Sequence, residues 1–373
     1  MNAGERRRYS RQLLIPEVGL AGQARLRAAR VLCVGAGGLG GPALSYLVAA
    51  GVGTVALVDD DVVDESNLQR QLLFSTGDIG RSKAEVAAER LRALNPHVAI
   101  EPHRLRFEAA NARELVRAYD CVIDGSDEFA TRYLVNDASV LERKANVFAS
   151  ISRFQAQVTL FSGAGKPCYR CLYPIAPSPG SVPSCGEGGI LGAVAGLAGA
   201  WQATEVLKWL LGIGESLSAR LLLIDALGAT HRELTVQRDP ACLLCGDSST
   251  IESSRTPRAT RDAAASCPAP DVEEIGAEAF AEAIASGAVL LDVREPHEAA
   301  LGLYPDSLHI PWSCFEERFH EIDLQRKYLV VCRLGLRSLF AAQRLRRAGA
   351  APILHLRGGL LSVGALEEAL RLF

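Results

Sequence analysis

From Arg30 onward, short apolar runs alternate with stretches in which apolar positions recur every three to four residues. That alternation predicts strands separated by helices, the pattern of an α/β chain. Arg30-Val-Leu-Cys-Val reads as a first strand, Thr54-Val-Ala-Leu-Val as a second and Asp120-Cys-Val-Ile-Asp as a later one. Ser82-Lys-Ala-Glu85 opens a helix with a capping-box pattern and Asn95-Pro96 closes it. Leu221-Leu-Leu-Ile-Asp and Glu233-Leu-Thr-Val-Gln read as late strands. The apolar stretch from Gly188 to Trp201 is followed by Gln202, Glu205 and Lys208, too short and too polar for a membrane span. Its Gly and Ala content predicts a buried or interface helix with close backbone approach.

Asp247 to Asp271 is rich in Ser, Thr, Ala, Pro and Arg and reads as an exposed linker. Beyond it a smaller α/β unit is predicted, with strands at Val289-Leu-Leu-Asp-Val, Leu308-His-Ile-Pro, Tyr328-Leu-Val-Val-Cys and Ile353-Leu-His-Leu. The expected organisation is a first domain over 1–246, a linker over 247–271 and a second domain over 272–373.

Composition narrows the class. The 373 residues leave room for two domains, and 49% hydrophobic with 22% charged residues argues against general disorder. A formal net charge of -3 gives no reason to expect nucleic acid or an anionic membrane surface as partner. With no apolar secretory segment near the start, a soluble cytoplasmic protein with mostly reduced thiols is expected. Cys33 and Cys121 fall in strand-like runs and read as buried apolar residues, while Cys267 sits in the linker without an evident partner.

The first strand runs into Gly35-Ala-Gly37-Gly38-Leu-Gly40, whose glycines permit a tight turn and close backbone approach to a phosphate at a helix N-terminus. Asp59 ends the second strand, where a carboxylate would meet a ribose hydroxyl. Alone, this is a dinucleotide fingerprint compatible with an NAD-dependent oxidoreductase. Arg70, Lys83, Asp124, Asp127 and Arg132 add cations and carboxylates beyond that fingerprint, and Asn67 a polar amide. A triphosphate with a magnesium ion requires such a mixture.

Together with Arg8-Tyr-Ser-Arg11-Gln, these residues make the first two-thirds of the chain resemble the E1-like adenylating family, the MoeB/ThiF group. The resemblance implies a Rossmann-like fold, ATP as substrate and a ubiquitin-like sulfur carrier as partner. It implies that Asp59 contacts the ribose and that Asn67, Arg70 and Lys83 surround the phosphates. It further implies that Asp127 helps hold magnesium and that Arg11 reaches into the partner subunit's site, making a homodimer. Glu128 departs from the Asn common at that position, which puts the local hydrogen bonding in question.

Cys168-Tyr-Arg-Cys171 and Cys242-Leu-Leu-Cys245 are two matched C-x-x-C pairs, able to give a closed four-thiolate zinc site with no open position for catalysis. A redox pair is the alternative, although redox motifs do not usually come in twos. The resemblance agrees with zinc. Cys185 lies in a Pro/Gly/Ser-rich stretch and resembles the family's crossover-loop cysteine, which implies a transient link to the carrier; the other reading is a bystander thiol.

In the second domain, Tyr328-Leu-Val-Val leads into Cys332-Arg-Leu-Gly-Leu-Arg337-Ser338 and a helix. A thiol at such a loop is surrounded by backbone N–H groups, and Arg333 and Arg337 are expected to add charge favouring a thiolate or persulfide. With Leu290-Leu-Asp292-Val-Arg294 and Leu308-His-Ile-Pro311, the loop resembles a rhodanese domain, which implies a persulfide on Cys332 fed by a donor such as a cysteine desulfurase. Gly302-Leu-Tyr-Pro-Asp departs from the usual loop there. The order of the two domains resembles MoeB–rhodanese fusions.

The expected reaction is adenylation of the C-terminal glycine of a Gly-Gly-ended carrier, followed by attack of the Cys332 persulfide and release as a thiocarboxylate. The alternatives are an adenylyltransferase whose rhodanese domain is dispensable, an NAD-dependent oxidoreductase and a non-catalytic scaffold. Molybdopterin, thiamine, cysteine, siderophore and tRNA-thiolation pathways all use such carriers.

Overall fold

Arg30–Val34 forms β1, and four of its five residues are buried, as a strand covered on both faces requires. The computed structural model describes residues 1–163, 167–177, 189–251, 272–300, 302–333, 335–350 and 352–363. Cys185, Cys267 and most of the expected linker lie outside the described residues. The rest divides into two compact units, one holding residues up to 251 and the other those from 272.

In the first unit, helices α1 (Ala3–Arg8), α2 (Ser10–Leu13) and α3 (Gly19–Ala28) precede β1. Then follow α4 (Gly40–Ala50), β2 (Thr54–Val58), α5 (Lys83–Leu94), β3 (Ala99–His103), α6 (Ala112–Arg117), β4 (Cys121–Asp124) and α7 (Phe129–Leu141). The unit finishes with β5 (Ala145–Ser152), β6 (Gln155–Phe161), α8 (Tyr169–Leu172), α9 (Gly192–Leu211), β7 (Arg220–Asp225) and β8 (Thr230–Thr235). The eight strands order as β3-β2-β1-β4-β5-β6-β7-β8. Pairing is parallel as far as β5 and antiparallel from there.

Alternation along β1 builds two cores. Val31 and Cys33 pack with Leu44 and Leu47 of α4, Val86 of α5 and Val206 of α9. Leu32 and Val34 face the other way, onto Val116 of α6 and Leu134 and Ala138 of α7. Leu44 and Leu47 are fully buried, which contributes about 1.5–3 kcal/mol each. Burial pushes the Cys33 and Cys121 thiols up, so both behave as the small apolar residues expected of them.

The Gly/Ala-rich stretch enters α9 as a packed helix. A Cβ on Gly199 would stand 2.5 Å from the Leu39 carbonyl oxygen, so only glycine lets α9 lie this close to the start of α4. Gln202, fully buried, donates through Nε2 to the carbonyls of Asp124 (2.7 Å) and Val147 (3.0 Å), joining α9 to the end of β4 and to the neighbouring β5.

Two sequence expectations shift. The last strand is Thr230–Thr235, not 233–237, because it is paired along the whole of β7 from Asp225 back to Arg220. Ser82 caps α5 by accepting from the Glu85 N–H at 3.5 Å, but the return bond of a capping box is not made.

The second unit is a five-stranded sheet of order β11-β10-β12-β13-β9, parallel throughout. Its elements are β9 (Glu273–Ile275), α10 (Phe280–Ala285), β10 (Val289–Asp292), α11 (Pro296–Ala299), β11 (Leu308–His309), β12 (Tyr328–Val331), α12 (Leu336–Arg347), β13 (Ile353–Leu356) and α13 (Gly359–Ser362). Leu291, Val330 and Ile353 pack against Ala341, Ala342 and Leu345 of α12, while Leu290, Leu329 and Leu354 face Phe280 and Leu360. Among the described residues no helix is long and apolar enough to cross a membrane.

Candidate functional site

Strand order reverses between β1 and β4, and at this switch point the carboxyl ends of the strands leave a cleft. The β1–α4 turn forms its floor. Gly35 has φ +90°, and a Cβ there would stand 2.8 Å from the Gly125 carbonyl oxygen; one on Gly40 would stand 1.9 Å from the Gly35 oxygen. Packing therefore demands these two glycines, whereas Gly37 and Gly38 line the open cleft. Asp59 staples the turn, its carboxylate accepting from the N–H groups of Ala36 (2.8 Å) and Asp61 (3.0 Å). Burial pushes the Asp59 carboxyl up, against the pull of those N–H groups and of Lys83.

Gly125 to Glu128 form the opposite wall. Behind it Asp124 is buried, with one oxygen accepting from the Ser126 N–H (3.1 Å) and hydroxyl (2.6 Å). Burial raises the Asp124 carboxyl and the charge of Arg132 opposes that rise. Arg132 is itself buried over the rings of Phe129 (5.3 Å) and Phe148 (5.5 Å), with Nε and Nη2 3.4 and 3.3 Å from the Ser126 carbonyl. Asp127 is exposed on this wall. Glu128 accepts from Arg106 and from the Thr131 hydroxyl, both at 3.3 Å, which settles its local bonding as an exposed ion pair at the cleft.

Lys83, buried at the start of α5, donates to Asp61 at 2.8 Å. Arg70 lines the cleft and donates to the Ser66 carbonyl at 3.1 Å. Beside it the buried Gln71 leaves its Oε1 without a partner. Asn67 and Gly40 lie outside the lining, Asn67 donating to the Ser66 hydroxyl at 3.3 Å. Arg11 is exposed on α2, away from the cleft of its own chain. The cleft has a cavity volume of about 210 Å³ and opens to solvent along one side. Its cations and the close-set carboxylates of Asp59, Asp60 and Asp61 form the mixed lining that a metal-bound polyphosphate requires. Leu105 and Phe107 carry no motif of their own and are recruited by topology, while Gln71 and Gly125 fall inside the motifs around Arg70 and Asp127 without being singled out by them.

The four cysteines of the C-x-x-C pairs converge. Cys168 and Cys242 sulfurs stand 3.8 Å apart and those of Cys171 and Cys245 3.3 Å, with all four within 4.8 Å of one another. The Cys168 thiol, donating to Cys242, holds that neighbour well below its ordinary range. The edges of such a sulfur set suit a small tetrahedral ion, so the residues fit a metal. The cluster is tied to α7: Asn136 accepts from the Tyr169 N–H at 2.8 Å, and Asp137 takes Arg170 through two bonds of 2.8 and 2.7 Å.

In the second unit Cys332 follows β12 and is buried. The Gly335 N–H points at its sulfur from 3.1 Å and the Ser338 hydroxyl from 3.4 Å. Arg337 does not supply free charge to the loop as expected: both its terminal nitrogens are bound at 2.7 Å by Glu298 of α11. Asp292 and Arg294 form a second buried pair at 2.7 Å, with Arg294 also donating to the Gly302 carbonyl at 2.7 Å. Arg337 therefore braces the Cys332 loop against α11, and Arg294 braces the 292–302 segment that carries Glu298. Glu298 and His355, which faces the Gly335 carbonyl at 2.7 Å, were not legible in the sequence.

Comparison with known proteins places each unit in a family. Residues 9–244 match the ThiF family and residues 276–365 the rhodanese-like domain. The sulfur carrier protein adenylyltransferase of Thermus thermophilus is 53% identical over 65% of this chain and 92% of its own. The probable adenylyltransferase/sulfurtransferase MoeZ of Mycobacterium tuberculosis is 42% identical over 95% of this chain and 92% of its own. The adenylyltransferase and sulfurtransferase MOCS3 of Mus musculus is 46% identical over 83% and 70% respectively. Among solved structures, the fold resembles that of Escherichia coli MccB, with a TM-score of 0.58 at 24% identity over 65% of this chain and 75% of that one.

Proposed function

The chain belongs to the ThiF family and carries a rhodanese-like domain behind it, and on that premise we propose an adenylyltransferase that is also a sulfurtransferase. Its substrates are ATP and the C-terminal glycine of a small ubiquitin-like sulfur carrier ending in Gly-Gly. The observation that carries the reading is the gathering of Lys83, Arg70 and Asp127 around the glycine turn in one cleft.

A carboxylate is a poor acyl donor, because oxide is a bad leaving group and its charge repels nucleophiles. The carrier carboxylate attacks the α-phosphorus of ATP, a P–O bond forms, and pyrophosphate leaves with the electron pair of the broken bond. Arg70 and Lys83 neutralise charge on the phosphate oxygens, Gly37 and Gly38 let the backbone approach them, and Asp59 orients the ribose. The role assigned to Asp127 is to hold magnesium, which when bound offsets phosphate charge. Asn67 supports Arg70 from outside the lining.

The Cys332 persulfide then attacks the acyl carbon, AMP departs and an acyl disulfide joins carrier to Cys332. A thiol, from Cys185 or an external reductant, attacks the Cys332 sulfur and breaks the S–S bond. The carrier leaves as a thiocarboxylate and the thiol remains in a disulfide with Cys332. A cysteine desulfurase is the proposed class of sulfur donor.

Cys168, Cys171, Cys242 and Cys245 are the proposed ligands of a structural zinc that fixes the end of the first domain. The active unit is proposed to be a cytoplasmic homodimer in which Arg11 serves the partner's cleft, with residues 247–271 linking the domains. Carrier-dependent exchange of pyrophosphate into ATP, followed by mass spectrometry of the carrier after a persulfide donor is added, tests both halves. No exchange with any Gly-Gly-ended carrier would remove the adenylation reading.

A further inference from the structure

β13 carries His355 into the second unit's interior, where only 3% of it is exposed. Its Nε2 lies 2.7 Å from the Gly335 carbonyl oxygen. A carbonyl oxygen only accepts, so Nε2 bears the hydrogen. The same oxygen accepts from the Leu339 N–H at 3.1 Å, the opening bond of α12. Its two lone pairs are thereby filled.

Ser338, also fully buried, has a single hydroxyl proton and two acceptors in reach, the Gly335 oxygen at 3.0 Å and the Cys332 sulfur at 3.4 Å. With the carbonyl occupied twice, the sulfur is the acceptor left. We propose that His355 is a positioning residue for sulfur transfer: by occupying the Gly335 carbonyl it turns the Ser338 proton onto the Cys332 sulfur. There the hydroxyl joins the Gly335 N–H, 3.1 Å from the same sulfur, and the two donors stabilise its anion. This inference rests on the sulfur-transfer reading of Cys332.

Several charged groups surround the device. Arg333 adjoins the thiol in sequence, and Arg337 of α12 is held by Glu298 of α11. Glu274 of β9 lies 3.4 Å from the other ring nitrogen of His355 without a hydrogen bond to it, and 3.7 Å from Arg357.

The test uses the full chain with thiosulfate as sulfur donor and cyanide as acceptor, reading kcat/KM against pH and the mass of the Cys332 peptide. Losing one hydrogen bond to an anion moves the acid limb of the profile up by about one pH unit. Ser338→Ala and His355→Leu each produce that shift, and the double variant moves no further than Ser338→Ala alone. His355→Gln, which retains an N–H donor, recovers most of the shift. Additive shifts, or a His355→Leu rate lowered equally at every pH, would overturn the proposal. If His355→Leu does not fold, His355→Met, which likewise lacks an N–H donor, is read against Ser338→Ala in the same way. Wild type that gains no sulfur on Cys332 refutes the sulfur-transfer reading itself, and the proposal with it.

Discussion

Arg337 and Glu298 face each other fork to fork, each terminal guanidinium nitrogen 2.7 Å from its own carboxylate oxygen. Both side chains are buried, at 3% and 6% exposure, so the pair is held where water cannot replace either partner. It ties the first turn of α12, hence the Cys332 loop, to α11.

Removing one partner strands the other charge. Glu298→Ala is expected to destabilise the second unit by about 3–5 kcal/mol. Urea unfolding followed by a probe in that unit checks it, and a loss below about 1 kcal/mol would contradict the bracing role.

The same pair sets a pH dependence. Burial pushes the Glu298 carboxyl up, but the Arg337 bonds and the Glu295 N–H outweigh it and hold it below the ordinary 4.5. A carboxyl depressed in the folded state adds stability above its unfolded pKa, and that stability is lost as pH falls through the folded value. The second unit's melting temperature should therefore fall on acidification below the ordinary carboxylate range. Glu298→Gln should flatten that slope, and an unchanged slope would show that other carboxylates set it.

In the nucleotide cleft, Lys83→Met removes a buried cation and leaves Asp61 unpaired. Pyrophosphate exchange should drop about 10²–10³-fold, the scale of losing one preorganised electrostatic group. Asp127→Asn should drop it at least as far, whereas Cys332→Ala should leave exchange intact and abolish thiocarboxylate. Exchange that survives both cleft substitutions would move the chemistry elsewhere.

Glu128→Asn tests the opposite expectation. The Arg106 pair is exposed at both ends, 67% and 59%, and such pairs contribute about 0–1 kcal/mol. KM for ATP should change no more than about fivefold. A larger change would mean that Glu128 touches the nucleotide or its metal.

The cysteine cluster offers a metal test. As isolated, the chain should carry one zinc per subunit, and Cys171→Ser should lose it together with several degrees of the first unit's melting temperature. Metal analysis and calorimetry decide; full stability without metal would make the cluster a plain thiol core.

What the sequence made legible was what local chemistry dictates. The glycine turn, the strands of β-branched residues and both C-x-x-C pairs each announce themselves within a few residues. The partners of those groups did not. Arg337 reads as an active-loop cation until Glu298, far back in the chain, is seen to hold it. Gln71 and Gly125 acquire a role only because the order β2-β1-β4 brings their loops to one cleft. Thr230 begins the last strand because β7 offers a full-length partner, which no short-range pattern announces.

Gln202 has a consequence for the newly made chain. Its amide fastens the end of β4 and the adjoining β5 through two carbonyls that precede it by 78 and 55 residues. A growing polypeptide acquires the glycine turn early and the Asp127 wall later, but those two carbonyls stay unfastened until α9 has emerged. A protein truncated before Gln202 should display every nucleotide motif in its sequence and still bind nucleotide poorly. The fastening is the last part of the cleft to be delivered.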